Sequence, residues 1–273
     1  MEIGMQGWTC FQFNGFGAVS LNILAFFAHP DDETMLAGGT LALLARNGAN
    51  VHYLCATRGE GGEVGEPPLC TLDDLGAVRT RELNCAVQVL GGESLTVLDY
   101  VDPRVGLGEE LYPYTEDIST LTSEIVDKIE RISADVVVTH GSNGEYGHPA
   151  HVISHQAVQA ALAILDDRRP DLLTVSAVFP DHPRPRLAND DDPADFIIDV
   201  SQTLTIKTAA ALCHCTQHAL FVRRSSRESG RQMTVPEVIM PVESLHVSQS
   251  DPDRNHQAEL AALLEPWAER TSH

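Results

Sequence analysis

Basic residues are scarce in this chain: 18 lysines and arginines stand against 39 aspartates and glutamates, a net charge of −21 over 273 residues. A polyanionic partner needs a basic footprint, so nucleic acid and anionic membranes are not expected as partners; a small neutral or cationic molecule is. No apolar run reaches the roughly 18 residues of a membrane span, and the first twenty residues lack the basic region of a secretory signal, so a cytoplasmic location is expected. The six cysteines (Cys10, Cys55, Cys70, Cys85, Cys213, Cys215) form no Cys-x-x-Cys pair. Reduced, mostly buried thiols are expected, and Cys213-x-Cys215 lacks the spacing of a zinc knuckle. A Gly-x-Gly-x-x-Gly fingerprint is missing too: Gly38-Gly39 comes nearest but lies inside a helical pattern, which sets a nucleotide-binding domain aside.

What is present is enough for a large core, with 43% hydrophobic residues and no repeat at a fixed period. Residues 1–20 carry Trp8, Phe11, Phe13 and Phe16 around an Asn14-Gly15 turn signal and read as an apolar arm. From Leu21 strands and helices alternate. Apolar runs at 23–27, 51–57, 95–100, 135–139 and 173–179 read as strands; helical patterns cover about 34–48, 72–90, 116–132 and 149–166. This order specifies an α/β, Rossmann-like fold: a mostly parallel sheet with helices on both faces and extended loops at its carboxyl-end rim. Residues 181–195 read as an exposed excursion, Phe196–Val200 as a last strand, and Thr203–His214 as a final helix with Lys207 outward. The cluster Arg223, Arg224 and Arg227 reads as solvated surface.

The chemistry gathers at two strand ends. Ala28-His29-Pro30-Asp31-Asp32-Glu33 follows the first strand, where an open α/β sheet binds its ligand. Three adjacent carboxylates could simply cap a helix. A histidine two residues ahead makes imidazole plus carboxylate, a transition-metal ligand set, and a cation would offset the crowded negative charge. Tyr146-Gly147-His148-Pro149-Ala150-His151, with His155 one turn on, again places a strand end before a helix start, with Pro149 in the first turn. Alone it is weak; with the first segment it supplies His29, Asp32 and His151 as ligands and leaves a position open for water, with Asp31 free to act as base. The same two imidazoles and carboxylate would also suit a non-haem Fe(II) oxygenase, and a sugar-binding protein with a retired site is a further alternative.

With these boxes in order, the chain resembles the PIG-L/LmbE-like N-deacetylases, whose signatures are an Ala-His-Pro-Asp-Asp-Glu box and a distant His-Pro-Asp-His box. The resemblance runs from about 22 to 217, through Ala28–Glu33, Thr57–Glu63, Arg79–Leu83, His148–His151 and Lys207–Gln217. It implies one metal-dependent deacetylase domain over 21–273, Zn2+ (or Fe2+ or another divalent transition metal) on His29, Asp32 and His151, Asp31 as general base and His148 as oxyanion stabiliser. It also implies substrate contacts from Arg79 and Tyr146. The chain departs from the pattern at Ala150, where the family usually has an aspartate that would charge-stabilise the neighbouring imidazole.

The substrate so implied is a small-molecule conjugate of N-acetylglucosamine, hydrolysed to acetate and a free amine. A glycopeptide pseudoaglycone, as in antibiotic tailoring, is the expected acceptor; the alternative is an inositol conjugate serving as thiol-cofactor precursor. Glu60 and Glu63 read as a solvated loop, and His214 and Gln217 as either neighbours of the metal or helix-end packing.

Overall fold

The computed structural model describes residues 20–271 except 107–109, 252, 253, 255 and 266. The apolar arm and Cys10 lie outside the described residues. In chain order the elements are β1 (Asn22–Phe27), α1 (Asp32–Arg46), β2 (Asn50–Thr57), α2 (Leu75–Leu90), β3 (Ser94–Tyr100), α3 (Ile118–Ile132) and β4 (Val136–Thr139). There follow a short helical turn α4 (Gly144–Gly147), α5 (Pro149–Leu165), β5 (Asp171–Val175), β6 (Ala177–Val178), β7 (Asn189–Pro193) and β8 (Phe196–Asp199). The chain continues through α6 (Leu204–Cys213), α7 (His218–Ser229), α8 (Val235–Val238), β9 (Val242–Gln249), α9 (His256–Leu264) and β10 (Ala268–Arg270).

The main sheet runs β10-β8-β9-β5-β4-β1-β2-β3. From β3 to β5 neighbouring strands are parallel, and β9, β8 and β10 complete one side in antiparallel pairing. Successive side chains of a strand point to opposite faces, and β1 shows both being filled. Ile23, Ala25 and Phe27 enter one core with Leu41 and Leu44 of α1 and Leu83 and Val87 of α2. Leu24 and Phe26 enter the other with Leu121 and Ile125 of α3 and Val158 and Leu162 of α5. A strand buried on both sides has no polar alternation, which is why the run Ile23–Phe27 is continuous. The expected α/β architecture with helices on both faces is therefore the observed one.

Three local expectations change. The strand expected over 173–179 breaks at Ser176, whose φ of 54° turns the chain out of the sheet, so Ala177 and Val178 pair with β7 instead. Lys207 does not face outward: it is buried and its Nζ lies 2.7 Å from the equally buried Glu243 Oε1, on β9. Cys85 and Cys213 are not free thiols; they form a disulfide between α2 and the end of α6, with Cα atoms 5.8 Å apart. Among the described residues, no helix is long and apolar enough to cross a membrane.

Candidate active site

The carboxyl ends of β1 and β4 deliver the two chemical segments to one rim. β1 leads into His29 and α1 begins at Asp32, so the turn between them must be tight; Asp31 occupies the left-handed region, at φ 114°. β4 leads through His140 and α4 to α5, where Pro149 sits in the first turn and His148 is the N-cap, its Nδ1 accepting the Ala150 N–H at 3.2 Å. An imidazole can hold only one proton when neutral, so this bond leaves the proton of a neutral His148 on Nε2.

Three atoms converge. His29 Nδ1 lies 3.2 Å from Asp32 Oδ2, His151 Nε2 lies 3.3 Å from His29 Nδ1, and the same Nε2 lies 3.4 Å from Asp32 Oδ2. Zinc bonds of about 2.0–2.1 Å in tetrahedral array put ligand atoms about 3.3–3.4 Å apart, so the triangle has the size of one tetrahedral face. Two overlapping groups, His29 with His148 and His151, and Asp32 with His140 and His151, hold ligand-type atoms within 4.8 Å of one another. His140 has its Nε2 taken by the Ala28 N–H at 3.0 Å, which removes that lone pair from a ligand role.

A second ring of acids orients these rings. Asp102 Oδ1 lies 3.3 Å from His29 Nε2, and Glu145 Oε2 lies 2.5 Å from His151 Nδ1 and 3.1 Å from His140 Nδ1. Each carboxylate fixes the tautomer that turns the opposite nitrogen toward the triangle, as carboxylates behind metal-bound histidines do. Glu145 achieves this from a left-handed backbone, φ 61°, with the Gly141 N–H on its other oxygen at 2.9 Å. Asp102, His140 and Glu145 were not singled out by sequence reading. Asp102 sits in a loop and Glu145 in the short turn α4, and both bear on the site through the histidines, though His140 directly follows a strand and carried that signal.

The charge balance asks for a cation. Burial alone would lower His29 and His151, yet Asp102 and Asp32 hold His29 up to about 9, and Asp32 and Glu145 hold His151 up to about 10. Asp32 stays well below the usual carboxylate range: burial opposes this, and the His151 charge and hydrogen bonds outweigh it. His148 is the opposite case. Burial, then the charges on His151 and His29, push it down to about 3, which favours the neutral imidazole. Ala150, two residues on in the first turn of α5, offers it no carboxylate and is packed in the core.

Asp31 stands beside the triangle. Burial pushes its pKa up to about 6, against the neighbouring Arg79 guanidinium. Arg79 is itself buried, with Nη2 2.9 Å from Asp31 Oδ2 and further bonds to the Pro30 and Gly59 carbonyls. Its bonds hold Asp31 in place, and it is absent from the lining of the open cavity described below. The acidic loop is likewise tied down: Glu60 accepts the Asp102 N–H at 3.1 Å, and Glu63 pairs with Arg223. His214 Nε2–H donates to Glu33 Oε1 at 2.9 Å in the first turn of α1, and the Gln217 side-chain amide donates to the Glu63 carbonyl, so both brace segments around the site.

Asp32 and His151 open into a cavity of about 790 Å3, and Tyr146, 55% exposed, stands at its wall with its ring 5.6 Å from that of His148. Residues 24–162 match the family model "PIG-L: GlcNAc-PI de-N-acetylase". The chain belongs to the PIG-L family.

Members of this family resemble the chain well beyond the two boxes. A 1D-myo-inositol 2-acetamido-2-deoxy-alpha-D-glucopyranoside deacetylase from Kineococcus radiotolerans is 29% identical over 272 residues, covering 81% of this chain and 75% of that one. Other relatives of the same name match at 34–38% identity over 41–56% of their own length. Among solved structures, the zinc-inhibited form of teicoplanin deacetylase Orf2 superposes with a TM-score of 0.58 at 16% identity, covering 85% of this chain and 99% of that one. The 4-carboxy-2-hydroxymuconate hydratase GalB of Pseudomonas putida KT2440 superposes with the same TM-score at 22% identity, covering 86% and 99%. At such identities the likeness is one of fold, and the reaction has to be argued from the site.

Proposed function

We propose that this PIG-L protein hydrolyses the acetamide of an N-acetylglucosaminyl conjugate, with a divalent metal, zinc by ligand type, held by His29 Nδ1, Asp32 Oδ2 and His151 Nε2. The observation that carries the reading is the 3.2–3.4 Å triangle of those atoms with an unligated carboxylate, Asp31, beside it. A bound zinc ion would lower the pKa of water to about 7 and polarise the amide carbonyl. The remaining work falls to side chains. Asp31, held by Arg79, takes the proton of the attacking water and returns it to the leaving amine. His148, neutral and protonated on Nε2, donates a hydrogen bond to the oxygen that becomes negative on attack, as a neutral imidazole can. Tyr146 at the cavity wall is placed to touch the sugar.

The names of the sequence relatives support an inositol conjugate over the glycopeptide pseudoaglycone. The test is acetate release from 2-acetamido-2-deoxy-α-D-glucopyranosyl inositol, with metal content measured on the same sample. Release that stops on chelation and returns with one equivalent of zinc is the expected result. Undiminished release from metal-free protein would refute the reading.

A further inference from the structure

Asp31 is the N-cap residue of α1, yet its carboxylate does not cap the helix. An aspartate at that position ordinarily accepts a free N–H of the first turn. Here the side chain makes no such bond and is turned to Arg79, while the backbone takes up φ 114° and ψ −27°. A left-handed backbone is unfavourable for a residue with a Cβ and lasts only where its surroundings fix it. Two contacts do so: the Asp31 carbonyl starts the helix by accepting the Met35 N–H at 2.9 Å, and the Asp31 N–H donates to Glu33 Oε2 at 2.9 Å.

Glu33 does not hold its place alone. It is buried, and a carboxylate taken out of water needs donors on its oxygens. Oε1 receives the Thr34 hydroxyl at 2.6 Å and His214 Nε2–H at 2.9 Å. Thr34 belongs to the same turn, whereas His214 arrives from the end of α6, 181 residues on. Its ring is fully buried and, among the described residues, Nδ1 has no partner, so its hydrogen bonding is directed at this one turn. The segment that carries His214 is fixed to α2, the helix that also bears Arg79: Cys213 is bonded to Cys85, and the Thr216 N–H and hydroxyl donate to Glu82 at 2.9 and 2.7 Å.

We propose that Glu33 and His214 are positioning residues for the general base: through the Asp31 N–H they hold the left-handed turn that keeps the Asp31 carboxylate beside the metal triangle, while Arg79 holds the carboxylate itself. The inference rests on the deacetylase reading and adds to it two side chains that act through Asp31 and not on the substrate. A helix cap alone accounts for neither the distant imidazole on Glu33 nor the Asp31 carboxylate that caps nothing.

Steady-state acetate release from 2-acetamido-2-deoxy-α-D-glucopyranosyl inositol, with zinc measured on the same protein, tests this in His214→Leu, His214→Gln, Glu33→Met and the double variant His214→Leu, Glu33→Met. His214→Leu keeps most of the volume and loses the donor. Its kcat should fall roughly 10- to 100-fold, as a displacement of about an ångström costs, with KM within about twofold of wild type and zinc near one equivalent. His214→Gln, whose amide can still donate to Glu33, should recover most of that loss, and the double variant should be no slower than Glu33→Met, because His214 acts through Glu33. Wild-type kcat in His214→Leu, losses that multiply in the double variant, or zinc lost in step with turnover overturns the proposal. Amide exchange followed by NMR needs no substrate. In zinc-loaded wild type the Asp31 N–H should exchange roughly tenfold or more slowly than an unbonded amide, and His214→Leu should remove that protection. An unprotected Asp31 N–H in wild type overturns the proposal even where a variant does not fold. Absence of acetate release from wild type would refute the deacetylase reading alone, because the exchange comparison still judges whether Glu33 and His214 hold the turn.

Discussion

The Glu145 carboxylate and the His151 imidazole share a buried hydrogen bond of 2.5 Å, and the same carboxylate oxygen reaches His140 at 3.1 Å. This contact sets which nitrogen of His151 faces Asp32 and His29. A carboxylate thus stands behind His151, whereas among the described residues the hydrogen bond of the His148 ring is to the Ala150 N–H.

Glu145→Gln keeps the size of the side chain and removes its charge. An amide can still bond one histidine, so the fold should persist. Metal affinity should fall roughly 10- to 100-fold, the usual effect of losing a carboxylate behind a metal-bound histidine. Competition with a chromophoric chelator measures this, and unchanged affinity would show that Glu145 does not support the metal site.

Much of this arrangement was legible from the chain. The continuous apolar run before His29 and the proline at the start of α5 marked two strand-to-helix junctions, and the sheet rule brought them to one rim. Other parts were not legible because they are made by pairings of distant residues. Asp102 and Glu60 meet across a loop, Cys85 reaches Cys213 over 128 residues, and β9 is inserted between β5 and β8 from far along the chain. Lys207 looked like an ordinary outward lysine until Glu243, on that inserted strand, gave it a buried partner.

Lys207→Met should expose the worth of that pair. Glu243 would keep the Gly39 and Thr40 N–H groups, at 2.8 and 2.7 Å, but lose the one cation paired with it among the described residues. Removing one member of a buried pair costs about 3–5 kcal/mol, so the urea midpoint should drop clearly. The double variant Lys207→Met, Glu243→Leu should recover part of the loss; a single variant as stable as wild type would mean that the pair contributes nothing net.

The Cys85–Cys213 bridge closes a long loop and joins α2 to the segment that carries His214 and Gln217. Cys213→Ser should therefore lower unfolding free energy by about 2–4 kcal/mol under non-reducing conditions. Because Cys85 lies on the exposed side of α2, a mild reductant should bring wild type down to the variant's level. Identical denaturation curves for the oxidised and reduced wild type would contradict the bridge.

Gly59→Ala tests whether Arg79 acts by positioning Asp31. Gly59 has φ +71°, and a Cβ there would sit 2.2 Å from Arg79 Nη1 and 2.5 Å from its Cζ, so the guanidinium must move. Asp31 would then lose the partner that holds it 2.9 Å away, while His29, Asp32 and His151 keep their places. The backbone strain and overpacking should cost about 1–3 kcal/mol. Turnover should fall toward that of Asp31→Asn, itself expected to lose roughly 100- to 10,000-fold as a missing general base does. Bound zinc, measured on the same preparation, should remain near one equivalent in both variants. The two results together separate positioning from metal loss: wild-type turnover in Gly59→Ala would remove Arg79 from the mechanism, and loss of zinc would mean that the loop supports the metal site instead.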